Sequence, residues 1–213
     1  MKIKFKKYWR KTSFKKKEEA TFLLNHVNNY KPKNVLEIGV FHGVTSRNIC
    51  ELLCSIHEND FKFTGIDLFL NTNQISAGEF IPNTVFSNPL KNIYYRYIVK
   101  RDPYTHQSVK LLLEKFSNNV NIIKGDSTKV LKEIPLSKFD YVFLDGGHAY
   151  ETVKKDLINL TEIIKNSGVV LCDDYNLSYA PGVKKAIDEY AYSNNFNLRI
   201  LNSRFAEITK DIS

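Results

Sequence analysis

The chain has 213 residues, of which 43% are hydrophobic and 25% charged, a balance that suits one globular domain and excludes a disordered segment. No apolar run approaches the roughly 20 residues of a membrane-spanning helix, and the basic first stretch is not followed by an apolar segment, so it does not read as a secretory signal. The net charge of +8 is local: Lys2, Lys4, Lys6, Lys7, Arg10, Lys11, Lys15, Lys16 and Lys17 stand within residues 1–17 with no acid among them, which leaves 22 basic against 23 acidic residues elsewhere.

Residues 1–17 therefore read as a basic tail, and residues 18–213 as a single domain with 70–104 as a lid or substrate insertion. Phe5, Tyr8, Trp9 and Phe14 interleave with the tail's charges. That pattern suits an anionic membrane surface or RNA, and equally a packed or solvated terminus. The ordinary charge of the body argues against a nucleic-acid binder. Cys50, Cys54 and Cys172 are odd in number and sparse, as expected of reduced thiols in a cytoplasmic protein. Cys50, Cys54 and His57 would share a helix face, and a partly buried face accounts for them better than a metal site does.

Along the chain, Glu18 to Tyr30 predicts a helix that Lys31-Pro32-Lys33 breaks. Asn34–Val40 is an apolar run of buried-strand character, and Thr45 or Ser46 is positioned to cap the helix that follows. Phe61–Phe69 predicts a second strand. Residues 70–104 are too long for a structureless loop, so some helix is expected there. The aromatic stretch at 94–97 suits stacking on an acceptor or a packed lid. A helix over Tyr104–Phe116 precedes strands at Val120–Ser127 and Phe139–Leu144. Thr152–Asn166 predicts one helix stopped near Gly168, Val169–Cys172 a fifth strand, and Pro181-Gly182 opens a helix to about Tyr192. Phe196–Leu201 and Phe205–Thr209 flank Asn202-Ser203-Arg204 as a terminal hairpin.

Alternating strands and helices imply an α/β, Rossmann-like doubly wound sheet that binds ligands beyond the carboxyl ends of its strands. After the first strand stand Glu37, Gly39 and Gly43; the glycine spacing suits a small polar group better than a pyrophosphate. Asp67 ends the second strand, where an acid can accept from both ribose hydroxyls, and Asp126-Ser127 end the third, within reach of an adenine. Asp145 and His148 follow the fourth strand, and Asp173-Asp174 the fifth. Three convergent carboxylates repel one another unless a cation lies among them, and hard oxygen ligands favour Mg²⁺ or Mn²⁺.

Val35-Leu36-Glu37-Ile38-Gly39 with Gly43, Ile66-Asp67, Gly125-Asp126-Ser127, Phe143 to Tyr150 and Cys172 to Tyr175, with Pro181-Gly182-Val183, resemble class I S-adenosylmethionine-dependent methyltransferases. Within that group the blocks around Asp145 and Asp173 are closest to the macrocin and novobiocin sugar O-methyltransferases, and more distantly to catechol O-methyltransferases. The resemblance implies a mostly parallel seven-stranded sheet whose last strand is antiparallel. It places Glu37 and Gly39 at the methionine end of S-adenosylmethionine, Asp67 on the ribose and Asp126 with Ser127 near the adenine. It implies Mg²⁺ on Asp145, Asp173 and Asp174. Catechol-type enzymes carry a lysine base where this chain has His148, and some sugar-type members an acidic base where it has Gly147, so His148 is the best candidate base. The expected acceptor is a sugar, vicinal-diol or phenolic hydroxyl, and a homo-oligomer is compatible with all of this.

A nicotinamide dehydrogenase would need a glycine pattern that is missing here, and a nucleic-acid base methyltransferase an Asn/Asp-Pro-Pro-aromatic motif after the fourth strand. A non-catalytic module tethered through the tail is the alternative. Removal of residues 1–17 separates them: an enzyme on a small acceptor keeps its activity, and a tethering module loses its partner.

Overall fold

In the computed structural model, which describes residues 4–69 and 83–210, seven strands make one sheet. They are β1 (Asn34–Ile38), β2 (Lys62–Asp67), β3 (Val120–Lys124), β4 (Tyr141–Leu144), β5 (Val169–Cys172), β6 (Phe196–Leu201) and β7 (Phe205–Lys210). Their order is β3-β2-β1-β4-β5-β7-β6, with β1 to β5 parallel and β7 antiparallel to both β5 and β6. The order reverses between β1 and β4, where ligand sites of such sheets lie. This is the Rossmann-like arrangement expected from the sequence.

The helices are α1 (Lys17–Tyr30), α2 (Val44–His57), α3 (Pro89–Ile93), α4 (His106–Leu112), α5 (Ser127–Val130), α6 (Tyr150–Asn159), α7 (Thr161–Lys165) and α8 (Pro181–Ser193). Strand side chains alternate between two cores, as the period of two requires. Val35, Phe63, Tyr141, Phe143, Leu171 and Phe205 pack with α1 and α2 on one face. Leu36, Ile38, Val142, Val170 and Ile208 pack with α6, α7 and α8 on the other. No helix among the described residues is long and apolar enough to cross a membrane.

Three local expectations differ. The helix expected over Thr152–Asn166 is two, α6 and α7, joined at Leu160. There the Thr161 hydroxyl donates to the Ile158 carbonyl, a local bond that competes with the helical ladder. Neither Thr45 nor Ser46 caps α2; Gly43 holds that place in the left-handed region, and Ser46 turns inward to Glu37. The helix expected from Tyr104 begins at His106, because Thr105 accepts from Ser108 N at 3.2 Å and so caps it. Of the 70–104 insertion, residues 70–82 lie outside the described residues; the rest holds α3 and a π-helix over Tyr94–Val99, where Tyr95 is buried and stacks on Phe86 at 5.2 Å.

The described part of the basic segment packs on the domain. Phe14 is 1% exposed, with its ring 6.4 Å from Phe143 and 6.2 Å from Phe205. Arg10 donates to the carbonyls of His42, Pro103 and Ser108, and Lys6 N donates to Asn48. Trp9 remains exposed, beside Tyr94.

Candidate functional site

The turn after β1 is built by steric necessity. Gly39 has φ +93°, and a Cβ there would fall 1.8 Å from the Asp145 carbonyl oxygen. Its N–H donates to Ile66 O at 2.9 Å, and Asp145 N donates to Ile38 O at 2.8 Å, so the starts of the loops after β1 and β4 lie against each other. Gly43 (φ +74°) turns the chain into α2, whose first amides face back towards this turn. Glu37 is fully buried beneath it. One of its carboxylate oxygens accepts from the Ser46 hydroxyl; the other, Oε1, has no partner in the protein. Burial pushes its carboxyl up to about 8. His42 is also fully buried, with both ring nitrogens unpartnered and its ring parallel to Tyr104. Burial, then Arg10 and Lys11, lower it to about 3, so this imidazole is neutral.

The acids at the ends of β2 and β3 are engaged internally. Asp67 Oδ2 accepts from Phe41 N at 2.7 Å, and Oδ1 from Phe69 N at 2.7 Å and the Tyr104 hydroxyl at 3.0 Å. Burial raises its pKa and these donors pull against that rise. Asp126 accepts from Thr128 N and thereby caps α5, while the Ser127 hydroxyl donates to Asp156 at 2.8 Å.

Asp145, Asp173 and Asp174 converge as expected, with a cation among them that the sequence reading did not single out. Arg204, in the β6–β7 turn, grips Asp173 with two parallel bonds, Nε to Oδ1 at 2.5 Å and Nη2 to Oδ2 at 2.8 Å. Nη2 also lies 3.4 Å from Asp174 Oδ1, and Nη1 donates to Glu19 at 2.9 Å. The guanidinium carbon sits 4.9 Å from the Phe14 ring centre and 5.7 Å from that of Phe205. Asp174 Oδ2 lies 2.8 Å from His148 Nε2. The Ser13 hydroxyl donates to Asp145 Oδ2 at 3.1 Å. Burial, then the charges of Asp173 and Asp174, push the Asp145 carboxyl well above the usual carboxylate range. Burial pushes Asp173 up to about 6, against the pull of Arg204.

Two clefts meet at Asp145. One, about 260 Å³, is walled by Asp145, Gly147, His148, Asp173 and Asp174. The other, about 190 Å³, lies between the Gly39–Thr45 turn and residues Lys11, Thr12 and Ser13. The basic segment thus supplies a wall of the site. Arg204, His42, Ser13 and Asp156 were not singled out as site residues, and Ser46 was read only as a possible helix cap. His42 stands beside Gly43; the others come from helices, a hairpin turn and a terminus. Cys50, by contrast, is buried and His57 reaches the Lys31 carbonyl, so these two do not converge on a ligand.

Residues 36–175 match the family model described as a methyltransferase domain. No curated protein matches. Among solved structures, the fold is similar to the S-adenosylhomocysteine-bound methyltransferase PaMTH1 of Podospora anserina (15% identity, 93% of this chain and 80% of that one, TM-score 0.60). It is similar also to the O-methyltransferase NovP (19%, 91% and 78%, TM-score 0.60) and to CalS11, a TDP-rhamnose 3'-O-methyltransferase (15%, 90% and 78%, TM-score 0.60).

Proposed function

This chain belongs to the methyltransferase-domain family of class I, S-adenosylmethionine-dependent enzymes, and from that premise we propose that it methylates a hydroxyl of a small acceptor of the sugar or phenol type. The observation that carries the choice of oxygen is the His148–Asp174 pair on the wall of the larger cleft. A hydroxyl must lose its proton to become a competent nucleophile, and an imidazole held by a carboxylate is suited to take it. The NovP and CalS11 folds support the acceptor class by likeness alone.

Bound S-adenosylmethionine would supply an electrophilic sulfonium methyl, carried on an amino acid with an ammonium and a carboxylate. The residues present fit it. Glu37 Oε1 is a buried acceptor without a protein partner, matched to the ammonium, and the first amides of α2 favour the carboxylate. By the family likeness Asp67 would serve the ribose and Asp126 with Ser127 the adenine end, with Asp67 already accepting from Phe41 N, Phe69 N and the Tyr104 hydroxyl. His148 takes the acceptor's proton; Asp174 holds the ring and stabilises the imidazolium that forms. Holding acceptor and methyl group in line supplies much of the rate.

Mg²⁺ or Mn²⁺ on Asp145, Asp173 and Asp174 fits this donor set poorly. Both oxygens of Asp173 are taken by Arg204, and Asp174 is divided between Arg204 and His148. No group of three His, Cys, Asp or Glu among the described residues is arranged to hold a metal ion. No step is therefore assigned to a metal.

Calorimetric titration with S-adenosylhomocysteine, with NAD as control, tests the cofactor. Binding of the first and not the second is expected; binding of neither would move a non-catalytic module to first place. Once an acceptor is found by screening sugars and phenols, His148→Ala is expected to slow turnover about 100- to 10,000-fold with S-adenosylhomocysteine affinity unchanged. Unchanged turnover would remove His148 as the base.

A further inference from the structure

We propose that Arg204 is the resident cation of this site: its guanidinium takes the carboxylate oxygens that a divalent ion would need, so the chain binds its ligands without divalent metal. The inference deepens the methyltransferase reading and rests on it for the identity of those ligands.

The argument begins with charge. Asp145, Asp173 and Asp174 stand at the ends of two neighbouring parallel strands; Asp173 and Asp174 are buried and Asp145 is half-buried. Like charges gathered there need a positive partner. Arg204 meets that need by shape as well as sign. Its planar fork matches both oxygens of Asp173, and the same Nη2 reaches Asp174. A lysine, with one compact ammonium, cannot make the parallel pair.

Arg204 is also held from sides that have nothing to do with the aspartates. Glu19 of α1 takes Nη1, the Phe14 and Phe205 rings flank the guanidinium, and Tyr175 N donates to the Arg204 carbonyl at 2.8 Å. Its side chain is only 14% exposed. A divalent ion would have to break the Asp173 fork and sit as a like charge beside a guanidinium that Glu19 and the two rings hold in place, which is costly. The positioning consequence runs through Asp174. That carboxylate lies between Arg204 and His148, so the arginine sets the direction of the group that orients the ring.

Mn²⁺ titration of the full chain, followed by the electron paramagnetic resonance signal of the free ion, tests the proposal with and without S-adenosylhomocysteine. The wild type is expected to take up no ion at the site, and chelator to leave its S-adenosylhomocysteine affinity unchanged. Arg204→Met is expected to gain one Mn²⁺ per chain, which Arg204→Met/Asp173→Asn loses again. One ion bound by the wild type and lost in Asp173→Asn would overturn the proposal, as would a folded Arg204→Met that gains none. Where Arg204→Met does not fold, the double variant decides. Recovery of the fold shows that Asp173 was left uncompensated and supports the proposal; continued failure overturns it. Failure of the methyltransferase reading shows separately, as absent S-adenosylhomocysteine binding with the Mn²⁺ results intact.

Discussion

Glu37 shows how a single buried side chain records the shape of its missing partner. Its ordinary carboxyl pKa of 4.5 rises to about 8 because the protein gives the charged form one hydroxyl donor and no water. A raised pKa in the folded state means that this group stabilises the ligand-free fold fully below its unfolded pKa, and that the contribution fades as pH climbs through about 8. The thermal midpoint of the ligand-free protein should therefore fall between pH 6 and 9 more steeply in the wild type than in Glu37→Gln. An ammonium arriving at Oε1 reverses the preference and draws the proton off. Binding of S-adenosylhomocysteine at pH 7 should thus release close to one proton, seen as a dependence of calorimetric heat on the buffer's ionisation enthalpy. Glu37→Gln should abolish that dependence; an unchanged one would remove Glu37 from the ammonium site. Asp67, which burial also raises, differs in that protein donors engage both of its oxygens.

The turn after β1 was legible as a glycine turn, and its physical reason was not. Read from sequence, Gly39 lets backbone approach a ligand; in the structure it lets the chain pass the Asp145 carbonyl. Gly39→Ala combines a positive φ with a 1.8 Å collision against backbone, so a loss of about 3 kcal/mol or more is expected from the urea midpoint. Gly43→Ala, whose Cβ would meet the Val109 side chain at 3.0 Å, should cost less. Equal losses would mean that the backbone contact is not what fixes the residue. The strands and the terminal hairpin were readable because buried parallel strands are continuous apolar runs and a short polar stretch separates β6 from β7. That the hairpin's Arg204 would face Asp173 was not readable. The contact is made by sheet order, with β7 laid beside β5, and no local pattern announces which turn residue points inward.

Across the whole molecule, the described part of the basic segment takes the packed alternative that composition had left open beside a tether. Ser13 touches Asp145, Phe14 is core, and Arg10 ties the loop at His42 to Pro103 and Ser108. Removing residues 1–16 should lower the thermal midpoint and abolish S-adenosylhomocysteine binding. Phe14→Ala alone should cost about 3–5 kcal/mol in denaturant unfolding. A truncated chain that binds as tightly as the full one would show that the segment is no part of the site.

The ion pair of Arg204 with Glu19 joins residues 185 positions apart, and Phe14 meets Phe205 beside it. During synthesis that closure has to wait until the last hairpin has left the ribosome, although most of the ligand-facing acids emerged long before. A nascent chain halted before Phe196 would carry Glu37, Asp67 and Asp145 and still lack the clasp that draws its beginning over them. Affinity for the proposed ligand is then expected only after the β6–β7 hairpin has been made.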